Sequence, residues 1–591
     1  MAEQAWPLQD HTVLLDDQAA AATKYFNEKK YAEAEALALK ILDLAPNQRM
    51  ALRVLYEVRK AQNQVPAALA LARRLAALPG GAPQRAAAHA QLAHYLVGLG
   101  RHAEALPAAA AALKATPRDA TAQHVMGVVL TETGDFLAGE RHYRQALARL
   151  GREDGLVLAN LAWNLKQQGR LAEAKTLYDQ ALALRGDNPR GIGGAAQVAF
   201  ARGERARAEA LLDDALRRWP EDRPLRLLRA LADLAQDRAQ AVLDRLSPVE
   251  RLIAPEFLAR GQAQDRLGQL REAVTSFATA RRIQRERAGL TYQPAPLTAR
   301  AAAYQSYFTA DRVQPLPRAA AGPFTPVFLL GFARAGTGLL EQLLAQVPGF
   351  AVGDAAGSFE GLADAVPRLA ASEHPYPEAL DDLLVGDNQQ LPEQLRQMYE
   401  EQRARLGLLR PYIRFITDRA VGNAWHLGLI NLLYPEAPII HVLRHPYDLM
   451  LANIAQDRKL EGNAHAGLPA LAHYYGLHAE MIRHYRGQLT LRYLPVRYED
   501  LVADPAAVLA EILAFIGGTA PVPAAEILRA NAGPLPEPQP AHFIFREPVH
   551  TRAAGRYRAY LAAMPQLFAE VQAELAPWIE RLGYTVEEAR A

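Results

Sequence analysis

The residues able to do chemistry gather in the second half of the chain, most densely in PVFLLGFARAGTGLLEQLLAQ at 326–346. An apolar run leads into Gly331, a turn passes through Ala335, Gly336, Thr337 and Gly338, and a helical pattern begins at Leu339. Unpaired N–H groups at a helix start, with the positive end of the helix dipole, make an anion site, and small residues let a phosphate come close. Arg334 adds a fixed charge and Thr337 a hydroxyl, so the segment reads as a nucleotide-phosphate loop, with an ordinary strand–turn–helix corner as the bland alternative. It lacks the Gly-Lys-Ser/Thr of a Walker loop, whose lysine serves the terminal phosphates and whose hydroxyl serves magnesium. It also lacks the G-x-G-x-x-G spacing of a dinucleotide turn. The expectation is a cofactor whose transferred group needs no metal clamp.

A second group is APIIHVLRHPYD at 437–448. Read as a strand, it delivers Arg444 at its carboxyl end, the edge where open α/β sheets bind ligands. A guanidinium can grip two oxygens of a phosphate at once; a simple pairing with Asp448 is the alternative. His441 and His445 stand four apart, but HVLRH lacks the glutamate of the zinc-protease motif and ends before Pro446, so no metal site is expected there.

These groups need a sheet, and the grammar beyond about residue 322 supplies one: short apolar runs, each followed by a helical stretch, as in a parallel α/β domain. Upstream the pattern differs. Residues 18–285 are rich in helix formers, and Gly100, Gly134, Gly169 and Gly203 are spaced 34, 35 and 34 apart. GRHAEAL, GRLAEAK and GQLREAV are one recurring phrase. Ala103, Ala172 and Ala273 are expected to fill tight helix contacts, and Pro46, Pro117, Pro189 and Pro220 to close second helices. This resembles a tetratricopeptide array of about seven or eight helix pairs, in which stacking buries what one pair cannot. The segment 223–246 lacks the glycine and is the doubtful repeat. The fold class expected is therefore an all-α tetratricopeptide solenoid (18–285), a connecting helix and linker (286–321), and a three-layer α/β domain like a P-loop fold with a parallel sheet (322–591).

The 591 residues carry 66 Lys+Arg against 64 Asp+Glu, a net charge of only +2, which excludes a generally basic nucleic-acid binder. Zero cysteines exclude disulfides, thiolate metal sites and a cysteine nucleophile. No apolar run is long enough for a membrane span, and the acidic start is unlike a signal peptide, so a soluble, cytoplasmic protein is expected. Oligomeric state is not legible.

GFARAGTGLLEQ resembles the GFPRSGTTLLEQ loop of bacterial tetratricopeptide-linked sulfotransferases, relatives of the protein-tyrosine sulfotransferases. The stretches 416–456, LPVRYEDLVADP at 494–505 and REPVHTRAAGRYRAY at 546–560 resemble that family's other motifs in the same order. The resemblance implies 3′-phosphoadenosine 5′-phosphosulfate as donor and adenosine 3′,5′-bisphosphate as product. It implies that Arg334, Ala335, Gly336, Thr337 and Gly338 hold the phosphosulfate end and Arg444 the 3′-phosphate. Asn453 stands beside Ala452, where the family carries a serine; Tyr498 is placed to face the adenine, and Arg556 to make a last phosphate contact. A structural tyrosine and a solvated arginine are the bland alternatives for the last two.

Sulfuryl transfer to a hydroxyl needs a carboxylate to take the proton and cations to stabilise the developing charge. By the resemblance Asp354 is the first choice for the base and Glu360 the second; Arg334 and Arg419, the latter in place of a lysine, are the cations. Ala333, Ala335 and Gly338 depart from the family loop and remove two hydroxyl donors, each worth on the order of 1.5–3 kcal/mol to a charged group. Two readings stay open: a sulfotransferase acting on a tyrosine presented in the repeat groove, and a weakened domain within a peptide-binding scaffold.

Overall fold

The computed structural model describes residues 8–288, 291–353, 358–406, 408–457, 460–517, 527 and 549–586. The chain divides into two compact units, Met1–Gln167 with Ala172–Asp187, and Gln168–Leu171 with Asn188–Ala591.

The first unit is built of packed helix pairs, among them Ala82–Gly98 with His102–Ala115 and Ala120–Glu132 with Phe136–Leu150. The recurring glycines mark the turns inside pairs: Gly100 and Gly134 have φ of 72 and 88°, the left-handed region that glycine enters without strain. The tight-contact alanines lie two residues beyond those expected in two of the phrases. Ala105, Ala174 and Ala273 are fully buried, whereas Ala172 is exposed and the side chain of Ala103 is outside the described residues.

The second unit opens with further pairs. Pro189 does not close a helix; it is the first residue of Pro189–Ala201, where its missing N–H is no loss. The doubtful repeat is a real pair, Arg223–Ala235 with Ala239–Arg245. Asp237, at φ 61°, takes the left-handed turn position that glycine holds elsewhere, and the second helix has only 7 residues. The last pair, Ala254–Arg266 with Leu270–Ala288, meets so closely that a Cβ on Gly261 would lie 2.4 Å from the Phe277 ring. Pro294–Tyr307 follows as the connecting helix.

Five strands then form one parallel sheet in the order β2-β3-β1-β4-β5: β1 Thr325–Leu330, β2 Phe350–Val352, β3 Phe415–Asp418, β4 Pro438–Leu443 and β5 Arg492–Arg497. Strand β1 is central, and its Val327 to Leu330 are all buried, which is why it reads as a continuous apolar run. From β1 the chain moves to one side for β2 and β3, then crosses to the other for β4. This reversal leaves a crevice at the carboxyl ends, where open sheets take ligands. The ends of β1, β3 and β4 are neighbours there, bringing together Gly331–Gly336, Arg419 and Arg444. One apolar core runs without a break from Leu258 and Phe277 of the last helix pair through Tyr304 and Phe308 to Phe328 of the sheet.

Candidate active site

After β1 the chain turns tightly. A Cβ on Gly331 would stand 2.9 Å from Thr337 Cγ2 and 3.1 Å from the Val442 carbonyl oxygen. Arg334 holds φ 70° and is exposed, while Ala333 and Ala335 are buried. Gly336 has φ 115°, and a Cβ there would lie 2.6 Å from the Tyr498 ring, so only glycine fits. The Thr337–Leu344 helix starts immediately after, presenting its N–H groups at the crevice.

Arg444 closes over this loop. Its Nη1 donates to the Arg334 carbonyl at 2.8 Å and its Nη2 to the Ala553 carbonyl at 2.6 Å, while the guanidinium lies over the Tyr498 ring at 4.5 Å. The buried Nε has no hydrogen-bond partner. Tyr498 is thus a buried wall between Gly336 and Arg444. Asp448 accepts from the backbone N–H groups of Gly555 and Tyr557, both at 2.7 Å. Burial pushes its carboxyl up to about 6, against the Arg444 charge and those two donors.

Two expected donor contacts are directed elsewhere. Asn453 Nδ2 donates to the Ala333 carbonyl at 2.7 Å and to the Leu449 carbonyl at 2.9 Å, so its amide braces the loop from behind. Arg556 donates through Nε and Nη2 to Asp265 Oδ1, at 3.1 and 3.0 Å, and is held by the last repeat pair. Position along the sequence could not reveal either arrangement, because both partners are more than a hundred residues away. His441 and His445 are structural: burial pushes their pKa down to about 3 and about 4, and the His445 ring stacks on Tyr557 with centroids 3.9 Å apart.

Under the crevice lies a polar frame that the motifs did not announce. Glu341, fully buried in the loop helix, pairs with Arg419 Nε and accepts from Thr417 Oγ1 at 2.7 Å. Thr417 Oγ1 in turn accepts from the Gly353 N–H at 3.2 Å. From the other side the buried Arg403 donates to the Gly353 carbonyl at 2.6 Å and to Asp418 Oδ2 at 2.8 Å. Asp418 also accepts from Tyr399 Oη and Asn423 Nδ2. Gly353 is therefore fixed through both its N–H and its C=O, and a Cβ on it would lie 1.9 Å from the Thr417 carbonyl oxygen. The signal available was a charged residue inside each of two apolar runs, Glu341 in GLLEQLL and Asp418 in FITD.

Asp354, the residue after Gly353, lies outside the described residues. Glu360 meets His426 Nε2 at 2.9 Å and Arg300 at 3.6 Å. Its hydrogen bond to His426, with the charges of His426 and Arg300, holds its carboxyl below the usual range despite partial burial.

The loop turn, the start of the Thr337–Leu344 helix and Arg444 make an arrangement that can hold an anion. Residues 326–521 match the family model described as the sulfotransferase family. The chain carries a sulfotransferase-family domain. Residues 165–232 match a tetratricopeptide-repeat model, so the protein is a tetratricopeptide solenoid followed by a sulfotransferase domain with a five-stranded parallel sheet. An uncharacterized protein of Aquifex aeolicus (strain VF5) is 23% identical over 193 residues, which make up 32% of this chain and 25% of that protein. The chain thus spans about a quarter of the length of this curated relative. Among solved structures, the sulfotransferase domain from the Synechococcus PCC 7002 olefin synthase is 22% identical, with 46% of this chain and 99% of that one covered and a TM-score of 0.32. A tetratricopeptide repeat protein from Parabacteroides merdae ATCC 43184 is 15% identical, with 46% and 93% covered and a TM-score of 0.30. Among the described residues no helix is long and apolar enough to cross a membrane.

Proposed function

We propose that the sulfotransferase domain uses 3′-phosphoadenosine 5′-phosphosulfate to sulfate a hydroxyl acceptor, namely a tyrosine in a peptide held by the tetratricopeptide array. One observation carries this reading. The loop and Arg444 form a single braced cradle, through the bond from Arg444 Nη1 to the Arg334 carbonyl, and the buried Nε of Arg444 is left for an anion. An orphaned cationic donor beside a helix start suits a phosphate monoester. When bound, the donor supplies an activated sulfuryl group. Arg444 and the N–H groups at Gly336 to Gly338 hold its phosphates. Arg334 offsets negative charge at the mouth, and Arg419 does so with its orientation set by Glu341. Asp354 takes the proton of the acceptor hydroxyl. Glu360 suits that task less, because His426 and Arg300 stabilise its ionised form and weaken it as a base.

A second reading has its own support: Ala335 and Gly338 offer no hydroxyl, and Asn453 does not replace one. The domain would then bind the nucleotide weakly inside a scaffold protein. Labelled donor and a tyrosine peptide library separate the two. Transfer supports the enzyme; binding of adenosine 3′,5′-bisphosphate without transfer to any acceptor supports the scaffold; neither binding nor transfer overturns both.

Two variants probe the cradle. Arg444→Ala is expected to raise the calorimetric Kd for the bisphosphate about 10- to 150-fold, the loss of a hydrogen bond to a charged group. Gly338→Thr is expected to lower that Kd about tenfold, since a restored hydroxyl adds one such bond. Nothing lies within 4 Å of the position its Cβ would take.

A further inference from the structure

The helix Pro446–Ile454 connects the two halves of the cradle. It begins two residues after Arg444, and near its end Asn453 donates to the Ala333 carbonyl of the phosphate loop. A helix of this length moves as a rod, so whatever fixes its carboxyl end fixes both contacts. Besides its burial in the sheet domain's core, that end is held by side chains of the last repeat pair. Arg281, on the last helix of the tetratricopeptide array, donates through Nη2 to the Asn453 carbonyl at 2.8 Å and also to the Gln456 carbonyl. Gln262, on the partner helix of the same repeat pair, donates to the Ala455 carbonyl at 2.7 Å. Gln284 accepts from Arg281 Nη1 and donates to Asp457 Oδ1, both at 2.8 Å. Carbonyls at a helix end otherwise lack partners, and a cation there is favoured by the helix dipole. Arg281 is 4% exposed, so the contact is interior and unscreened.

The same repeat pair reaches the cradle by a second route. Asp265 holds Arg556 and accepts from Tyr560 Oη at 2.6 Å, and Arg556 follows closely on Ala553, whose carbonyl anchors Arg444.

We propose that the last repeat pair is a working part of the donor site, with Arg281 a positioning residue that sets the phosphate loop through Asn453. This rests on the donor reading given above. The two contacts, Arg281 to the Asn453 carbonyl and Asn453 to the Ala333 carbonyl, act in series. Breaking either lets the helix and loop part, so breaking both adds little.

The test is a double-mutant cycle on the full chain, read as the calorimetric Kd for adenosine 3′,5′-bisphosphate. Arg281→Met and Asn453→Ala are each expected to raise Kd about tenfold, and the double variant about 10- to 30-fold instead of the 100-fold that independent sites would give. Arg281→Lys, which keeps the charge and reaches fewer carbonyls, falls between wild type and Arg281→Met; it also serves as the probe if Arg281→Met does not fold. Arg282→Ala, which removes only an exposed pair with Glu286, binds as wild type does. A wild-type Kd in both single variants, or fully multiplicative effects, overturns the inference and leaves the donor reading intact. Failure of the wild-type chain to bind the bisphosphate overturns the donor reading itself.

Discussion

Asp354→Asn is expected to lower the turnover number by a factor of about 10²–10⁴, the usual contribution of a positioned general base, while the bisphosphate Kd stays as in wild type. The amide keeps the size of the carboxylate and cannot accept the acceptor's proton at neutral pH. The split between turnover and donor affinity is the informative part, because a variant that merely disturbed the fold would change both. The frame around Gly353 is why a base at the next position is expected to work. Its N–H is held by Thr417 and its C=O by Arg403, so the residue immediately before the proposed base is itself fixed. A base must lie within hydrogen-bond reach of the proton it takes. Unchanged turnover in Asp354→Asn would move the role to Glu360, and Glu360→Gln would then show the loss.

The second large effect concerns that frame. Arg403→Met should destabilise the sheet domain by about 3–5 kcal/mol, because it leaves Asp418 buried and uncompensated. Arg403 and Asp418 are both fully buried, and the lost guanidinium also strips the Gly353 carbonyl of its donor. A lowered thermal midpoint for the transition that includes this domain is the readout. Restoring neutrality with Asp418→Asn in the same chain is expected to recover part of the loss, since the amide oxygen can still accept from Asn423 Nδ2 while its NH2 donates to Tyr399 Oη, a hydroxyl that can accept. A thermal midpoint unmoved by Arg403→Met would mean that the pair carries no such charge compensation.

Much of the architecture could be read from the chain, for identifiable reasons. Glycine spacing near 34 residues gave away the repeats because a left-handed turn position tolerates few other residues, and Asp237 hid its repeat by being one of them. Strand β1 and its following loop were legible because a buried parallel strand must be apolar and a tight phosphate turn must be small. Arg444 was legible as the first residue beyond β4. What stayed hidden was long-range polar geometry. The family motifs place Arg556 and Asn453 as ligand contacts, and in the structure Arg556 bonds Asp265 and Asn453 bonds the Ala333 carbonyl. Glu341, Arg403 and Thr417 act on neighbours through a frame that no local periodicity encodes. Ala172 was misread by two positions because a helix face turns with a period of 3.6 residues, not with the recurrence of a phrase.

The uninterrupted apolar core from Leu258 to Phe328 bears on how such a protein can be recombined. Grafting a different array onto this domain at its apparent start near residue 322 would remove Tyr304 and Phe308, uncover Tyr376 and Tyr485 that pack on them, and leave a sticky face prone to self-association. The pair 254–288 shares this core and travels with the module.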